Sequence, residues 1–73
     1  MEFSIQFYNK DNEWFEINCD KLGAIDIYNQ ITNGQKNIII SNSIINKDFI
    51  SQMILYSNNK LYAWRDLIDG WQY

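Results

Sequence analysis

The chain has no histidine and no proline, a single cysteine and three glycines in its 73 residues. Without imidazole, Ser-His-Asp and Cys-His nucleophilic arrangements cannot be assembled, and the commonest general base is missing. A zinc site would rest on the lone thiol of Cys19 with no imidazole beside it, so zinc is excluded in practice. That thiol also lacks a histidine to activate it. In the register argued below it faces the core beside Phe3, as a small buried hydrophobe rather than a nucleophile. One cysteine closes no internal disulfide, which fits a reducing compartment. Gly23, Gly34 and Gly70 form no phosphate-cradling pattern.

Long apolar runs are missing too, and each run falls far short of the roughly 20 residues that span a bilayer. "MEFSIQFYNKD" has neither the basic nor the apolar region of a signal peptide. A soluble, cytoplasmic protein is the expectation, with no membrane partner. The initial Met and a tail without tag-like sequence lead us to expect a small open reading frame in its own right.

Charge is sparse and scattered. Lys10, Lys21, Lys36, Lys47, Lys60 and Arg65 are spread along the chain without a cluster, against nine acidic residues, for a formal net of -3. Duplex binding neutralises several phosphates together through a basic patch, so direct nucleic-acid binding is not expected. The acidic excess lacks the dense carboxylate run of a phosphate-backbone mimic. "NKDNE" at 9–13 offers oxygen ligands but not the glycine and bidentate glutamate of a calcium loop, so it reads as a hairpin loop. The near carboxylate pairs, Glu13 with Glu16 and Asp66 with Asp69, read as solvated faces before they read as acid-base pairs. We expect no enzyme, no metal and no cofactor.

What is present is apolar and aromatic. Hydrophobic residues make up 47% of the chain and aromatics 16%, enough for one domain of this size, 1–73, to fold without staples. The thirteen isoleucines and ten asparagines mark an AT-rich coding sequence, so the asparagines carry little functional weight.

"FSIQFY" alternates Phe3, Ile5 and Phe7 with polar positions, the period of a half-buried strand, and "EWFEIN" reads as its hairpin partner. Pairing Phe7 with Phe15 sets Ile5 opposite Ile17 and Phe3 opposite Cys19 on one face, whereas a one-residue slip mixes the faces. Tyr8 then lies opposite Trp14 on the other face, beside Gln6 and Glu16, as a cross-strand aromatic pair.

In "CDKLGAIDIYNQITNG", Ala24, Ile25, Ile27, Tyr28 and Ile31 fall on one helical side, with Asp20 as N-cap and Gly34 just past the end. The competing strand, closed by Asn33-Gly34, pairs poorly, and the helix is favoured. "KNIIISN" reads as a central strand and "SIIN" as a connection. Residues 48–57 stay open. Either Asp48 caps a helix presenting Phe49, Ile50, Met53, Ile54 and Tyr56, with Leu55 the outlier, or "QMILYS" is a strand turning at Asn58-Asn59.

In the tail, "LYAWRDLIDGWQY", a helix gathers Leu61, Trp64, Leu67, Ile68 and Trp71 within about 120° and sets Tyr62, Arg65, Asp66 and Asp69 opposite. Such a stripe faces its own core. The expected fold is α+β, a three-stranded, mainly antiparallel sheet with two or three helices in the order ββαβαα. The alternative is an all-β meander of hairpins.

Tyr8, Trp14, Tyr62 and Tyr73 exceed what one small core needs, and Tyr and Trp anchor interfaces because they bury much area for few rotatable bonds. A helix could cover Tyr8 and Trp14 in a two-sided sheet, and both readings remain open. If uncovered, the candidate protein-binding residues are Tyr8, Glu13, Trp14, Glu16, Tyr62, Asp66 and Asp69, with the carboxylates as an acidic rim. The expected function is a small non-catalytic module that occupies another protein. By analogy with phage and mobile-element proteins, that partner would be a nucleic-acid-processing enzyme of the host, inhibited through its basic surface. The alternatives are a homodimeric subunit pairing through the tail's tryptophans, and a single-strand binder stacking bases on Tyr8 and Trp14.

Overall fold

The computed structural model describes residues 2–40 and 43–71, the last three of these by backbone alone. Strands β1 (Phe3–Tyr8) and β2 (Trp14–Cys19) form the expected hairpin, with Phe7 opposite Phe15, Ile5 opposite Ile17, Phe3 opposite Cys19 and Tyr8 opposite Trp14. Asn9 locks the turn. Its Oδ1 accepts from the Asp11 and Glu13 amides at 2.9 and 3.0 Å, and Asn12 takes the left-handed conformation the turn requires (φ 63°).

Helix α1 (Lys21–Thr32) starts where Asp20 accepts the Gly23 amide at 2.8 Å. It ends at Asn33, and Gly34 (φ 86°) turns the chain away. Ala24, Ile25 and Ile27 are its buried stripe.

Beyond α1 the chain departs from expectation. β3 (Asn37–Ile40) is not a central strand, and Ser43–Asn46 is not a connection. The latter is β4, and the two pair with each other in a separate antiparallel ribbon. Ile38 and Ile40 enter the core, while Ile39 and its partner Ile44 point outward, 58% and 71% exposed. A run of three isoleucines looks apolar on both faces, but only one face here is covered.

The open segment 48–57 resolves as a 3-10 turn (Lys47–Phe49) followed by β5 (Gln52–Ser57). Asn46, not Asp48, caps the turn, through the Asp48 amide at 2.9 Å. The strand wins because β1 has a second edge to fill. Ile5 lies opposite Leu55 and Phe7 opposite Met53, so Leu55, the misfit of a helical stripe, becomes 1% exposed. Asn58 and Asn59, both at positive φ (54° and 63°), turn the chain into the short β6 (Lys60–Leu61).

The result is an α+β fold with a four-stranded antiparallel sheet in the order β2-β1-β5-β6, in place of the three strands expected, and two helices. Helix α2 (Trp64–Trp71) confirms a helical tail but begins after Leu61, which lies in β6 and is 74% exposed. Tyr62, expected on the helix's outer arc, packs edge-on against Phe3 at 5.6 Å. Trp64 stacks on Tyr28 at 5.5 Å and Leu67 is buried. The core is one cluster that joins Phe3, Ile5 and Phe7 to both helices, to Leu55 and to the ribbon's Ile38. Full burial of a large apolar side chain contributes about 1.5–3 kcal/mol, so α2 is held by Leu67, with partly buried Trp64 and Ile68 packed beside it.

Candidate functional site

Because α1, α2 and the ribbon all contribute to that one cluster, they lie on one face of the sheet. The other face carries Ser4, Gln6 and Tyr8 of β1, Trp14, Glu16 and Asn18 of β2, and Gln52, Ile54 and Tyr56 of β5, with no described element over it. Tyr8 and Trp14 are therefore not sandwiched beneath a helix. Their rings stand 6.2 Å apart, tilted by 32°, and Trp14 is 55% exposed. The Tyr8 hydroxyl donates to Gln6 Oε1 at 2.7 Å, which ties down the ring's polar end. On the inner face Phe15 stacks on buried Phe7 at 5.0 Å, yet β2 is an edge strand and Phe15 stays 42% exposed.

A third element completes the patch. The amide and Oγ of Ser51 both donate to the Tyr8 carbonyl, at 2.8 and 3.0 Å, and pin the 3-10 turn to the end of β1. That contact brings Phe49, 70% exposed, beside the hairpin. Tyr8, Glu13, Trp14, Phe15, Phe49 and Ile50 are among the residues that line a shallow cleft of ≈ 190 Å³, which Ile45 of the ribbon also borders. Asp11 and Asp48 line an adjoining depression with Lys10 and Phe49. Three carboxylates, Asp11, Glu13 and Asp48, thus lie beside the apolar patch, with Lys10 and Asn9.

The structure brings Tyr8, Glu13 and Trp14 together, and Glu16 follows Trp14 on the same face of β2, opposite Gln6. Tyr62 and Asp66 lie elsewhere. Both line a depression with Leu61 and Trp64 beside β6, at the opposite edge of the sheet. Tyr62 is mostly engaged with Phe3, and Asp66 is exposed on α2. The Asp69 and Trp71 side chains, and Tyr73, lie outside the described residues. Sequence reasoning missed Phe49, Ile50, Asp11 and Asp48. The signal within reach was Asn46 two residues before Asp48, an Asx turn competing with the helical one of the two readings there.

Cys19 is half-buried on the inner face, opposite Phe3. Burial, with the Asp20 carboxylate adding to it, pushes its thiol above the ordinary range, away from a reactive thiolate. Among the described residues no group of three or more carboxylate and thiol side chains is placed to hold a metal ion, and no helix is long and apolar enough to cross a membrane. Comparison with known proteins matches no family model, no curated protein and no solved structure.

Proposed function

We propose that the chain is a non-catalytic protein-binding module that docks through the aromatic end of its β1–β2 hairpin. The observation that carries this reading is the uncovered cluster of Trp14, Phe15 and Phe49, 55%, 42% and 70% exposed, in a chain small enough to need every large side chain in its core. Contiguous exposed aromatics with a polar margin are the usual anatomy of a protein interface. Ring faces supply buried area, and Asp11, Glu13, Glu16 and Asp48 set the sign of the partner's surface.

That sign favours a partner rich in Lys and Arg, such as the groove of a nucleic-acid-processing enzyme, which the module would block. Opposite charge would speed association and make it salt-sensitive. Inhibition of a host enzyme by a phage or mobile-element protein is the setting that best fits this size and charge.

The test is capture with the tagged chain from lysate of the source cell or its host, with and without nuclease treatment, beside a Trp14→Ala, Phe49→Ala variant. Asp66→Ala, at the far edge, serves as the control. The expected result is one stoichiometric protein whose recovery falls with added salt, is lost with the double variant and survives Asp66→Ala. Recovery of nucleic acid alone would replace this reading with the single-strand binder, and retention by the double variant would refute the hairpin site.

A further inference from the structure

The free strand edges of the sheet and the ribbon are covered unequally. The Gln30 side chain caps the free edge of β3, accepting the Ile39 amide at 2.7 Å and donating to the Ile39 carbonyl at 2.9 Å. Beyond β6, the Tyr62 amide reaches the Leu55 carbonyl at 2.9 Å and the Trp64 indole reaches that of Met53 at 3.4 Å. β2 receives no such cover. The Asn9 amide donates to the Glu13 carbonyl at 3.0 Å, which makes that a bonded pair. Alternation along the hairpin then aims the N–H and C=O groups of Trp14, Glu16 and Asn18 away from β1. Among the described residues nothing bonds them. The strand also lacks the lysine, proline or bulge with which exposed edges are usually blunted.

We infer that β2 pairs with β2 of a second copy, antiparallel across a two-fold axis, joining two four-stranded sheets into one. Two-fold symmetry and the outward groups allow few registers. Glu16 opposite Glu16 sets carboxylates against each other, and Asn18 opposite Asn18 sets Glu16 against Asp20. Phe15 opposite Phe15 places Glu13 against the apolar Ile17. Trp14 opposite Trp14 sets Glu16 against the turn residue Asn12 and leaves a single bonded pair within the strands. The register we assign puts Ile17 opposite Ile17, Phe15 opposite Cys19, Trp14 opposite Asp20, and Glu16 opposite Asn18 twice.

This register is self-complementary. Asn18 Oδ1 already accepts from Ser4 Oγ at 2.7 Å, which leaves its amide hydrogens for the second copy's Glu16 carboxylate. On the inner face Phe15, Ile17 and Cys19, all short of full burial, gain apolar neighbours. The two-fold contact therefore runs through β2, not through the tail, whose Trp64 is engaged by Tyr28 and Met53. The pairing takes up Phe15 and Glu16, so the joined sheet leaves Tyr8, Glu13, Trp14 and Phe49 of each copy to a further partner; the pairing stands whether or not they bind one.

Sedimentation velocity over a concentration series tests this, with circular dichroism confirming that each variant folds. Wild type is expected to dimerise reversibly. Asn18→Asp keeps the acceptor for Ser4 but sets carboxylates opposite each other twice, and should weaken the dimer at least about 10-fold, with Glu16→Gln in that background restoring it. Glu16→Pro removes an outward N–H while leaving every bond to β1, and should abolish the dimer. In a Cys19→Ser background, Ile17→Cys should cross-link on oxidation, because facing Cα atoms in such a pair lie about 4.5 Å apart, within disulfide reach. Phe15→Cys should not cross-link. A wild type monomeric up to millimolar concentration would overturn the inference, as would a dimer indifferent to Asn18→Asp and Glu16→Pro, or cross-linking through Phe15→Cys and not Ile17→Cys.

Discussion

Gln30 is a surface glutamine by sequence, yet its amide closes a strand edge. Its Oε1 accepts the Ile39 amide at 2.7 Å, and its Nε2 donates to the Ile39 carbonyl and to Asp26 Oδ2, both at 2.9 Å. The side chain thus stands in for a neighbouring strand and ties α1 to β3. Gln30→Met keeps the stem length and helix propensity but removes all three bonds. A net intramolecular hydrogen bond contributes about 0.5–1.5 kcal/mol. The exposed bond to Asp26, one helical turn away, contributes about 0.2–0.5 kcal/mol. Ile39 is 58% exposed, so water reaches the freed backbone groups and the values fall at the low end. The expected loss is about 1–2 kcal/mol, from two such bonds plus the helical pair.

Urea unfolding followed by tryptophan fluorescence measures that loss, and hydrogen exchange at the Ile39 amide locates it. In a domain of this size each kcal/mol also lowers Tm by about 4–8 °C. Gln30→Glu sharpens the test. It keeps an acceptor for the Ile39 amide but points a carboxylate at the Ile39 carbonyl and at Asp26. Protonated, that carboxyl can again donate to the Ile39 carbonyl as the glutamine amide does. Gln30→Glu should therefore cost more at pH 7 than in acid, where it should be closer to wild type than Gln30→Met is. A Gln30→Met cost below about 0.5 kcal/mol, the level of an ordinary surface change, with unaltered exchange at Ile39, would refute the edge-capping role.

Four further outcomes are expected. Trp64→Ala, which empties the space beside Tyr28, should cost about 3–5 kcal/mol, whereas Trp14→Ala should cost about 1 kcal/mol or less, the worth of its pairing with Tyr8; paired urea melts compare them. Gly34→Ala should cost about 1–2 kcal/mol from backbone strain alone, since φ is 86° and a Cβ there meets nothing within 4 Å; thermal melts read it. The Cys19 thiol, its pKa raised by burial and then by Asp20, should be alkylated more slowly in the folded than in the unfolded chain at one pH. The stability linked to that shift is fully present below the unfolded thiol pKa of about 8.5 and is lost as pH rises through the folded value, so the urea midpoint should fall in alkali more steeply for wild type than for Cys19→Ala.

How far the sequence could be read depended on the distance between partners. The hairpin register was legible because Phe3, Ile5 and Phe7 and their partners belong to one short segment, and a slip of one residue visibly mixes the faces. Helix α1 was legible through its caps, Asp20 and the Asn33-Gly34 end. β5 is legible only as one of two readings, because what makes 52–57 a strand is the free edge of β1, some fifty residues earlier, with Ile5 waiting for Leu55. Nothing local in "QMILYS" reports that edge, and the apolar residues satisfy a helical stripe nearly as well. The same tertiary decision governs the site. The Tyr8–Trp14 pair follows from the hairpin register alone, but Phe49 belongs to the apolar side of a helix in one of the two readings of 48–57, and that helix does not form. Once β5 takes its place beside β1, Ser51 is carried to the Tyr8 carbonyl and the turn before it is forced to the sheet's end, where α1, α2 and the ribbon leave no cover for another ring. Phe49 is exposed for a long-range reason, and so the aromatic cluster emerges only when strand order is known.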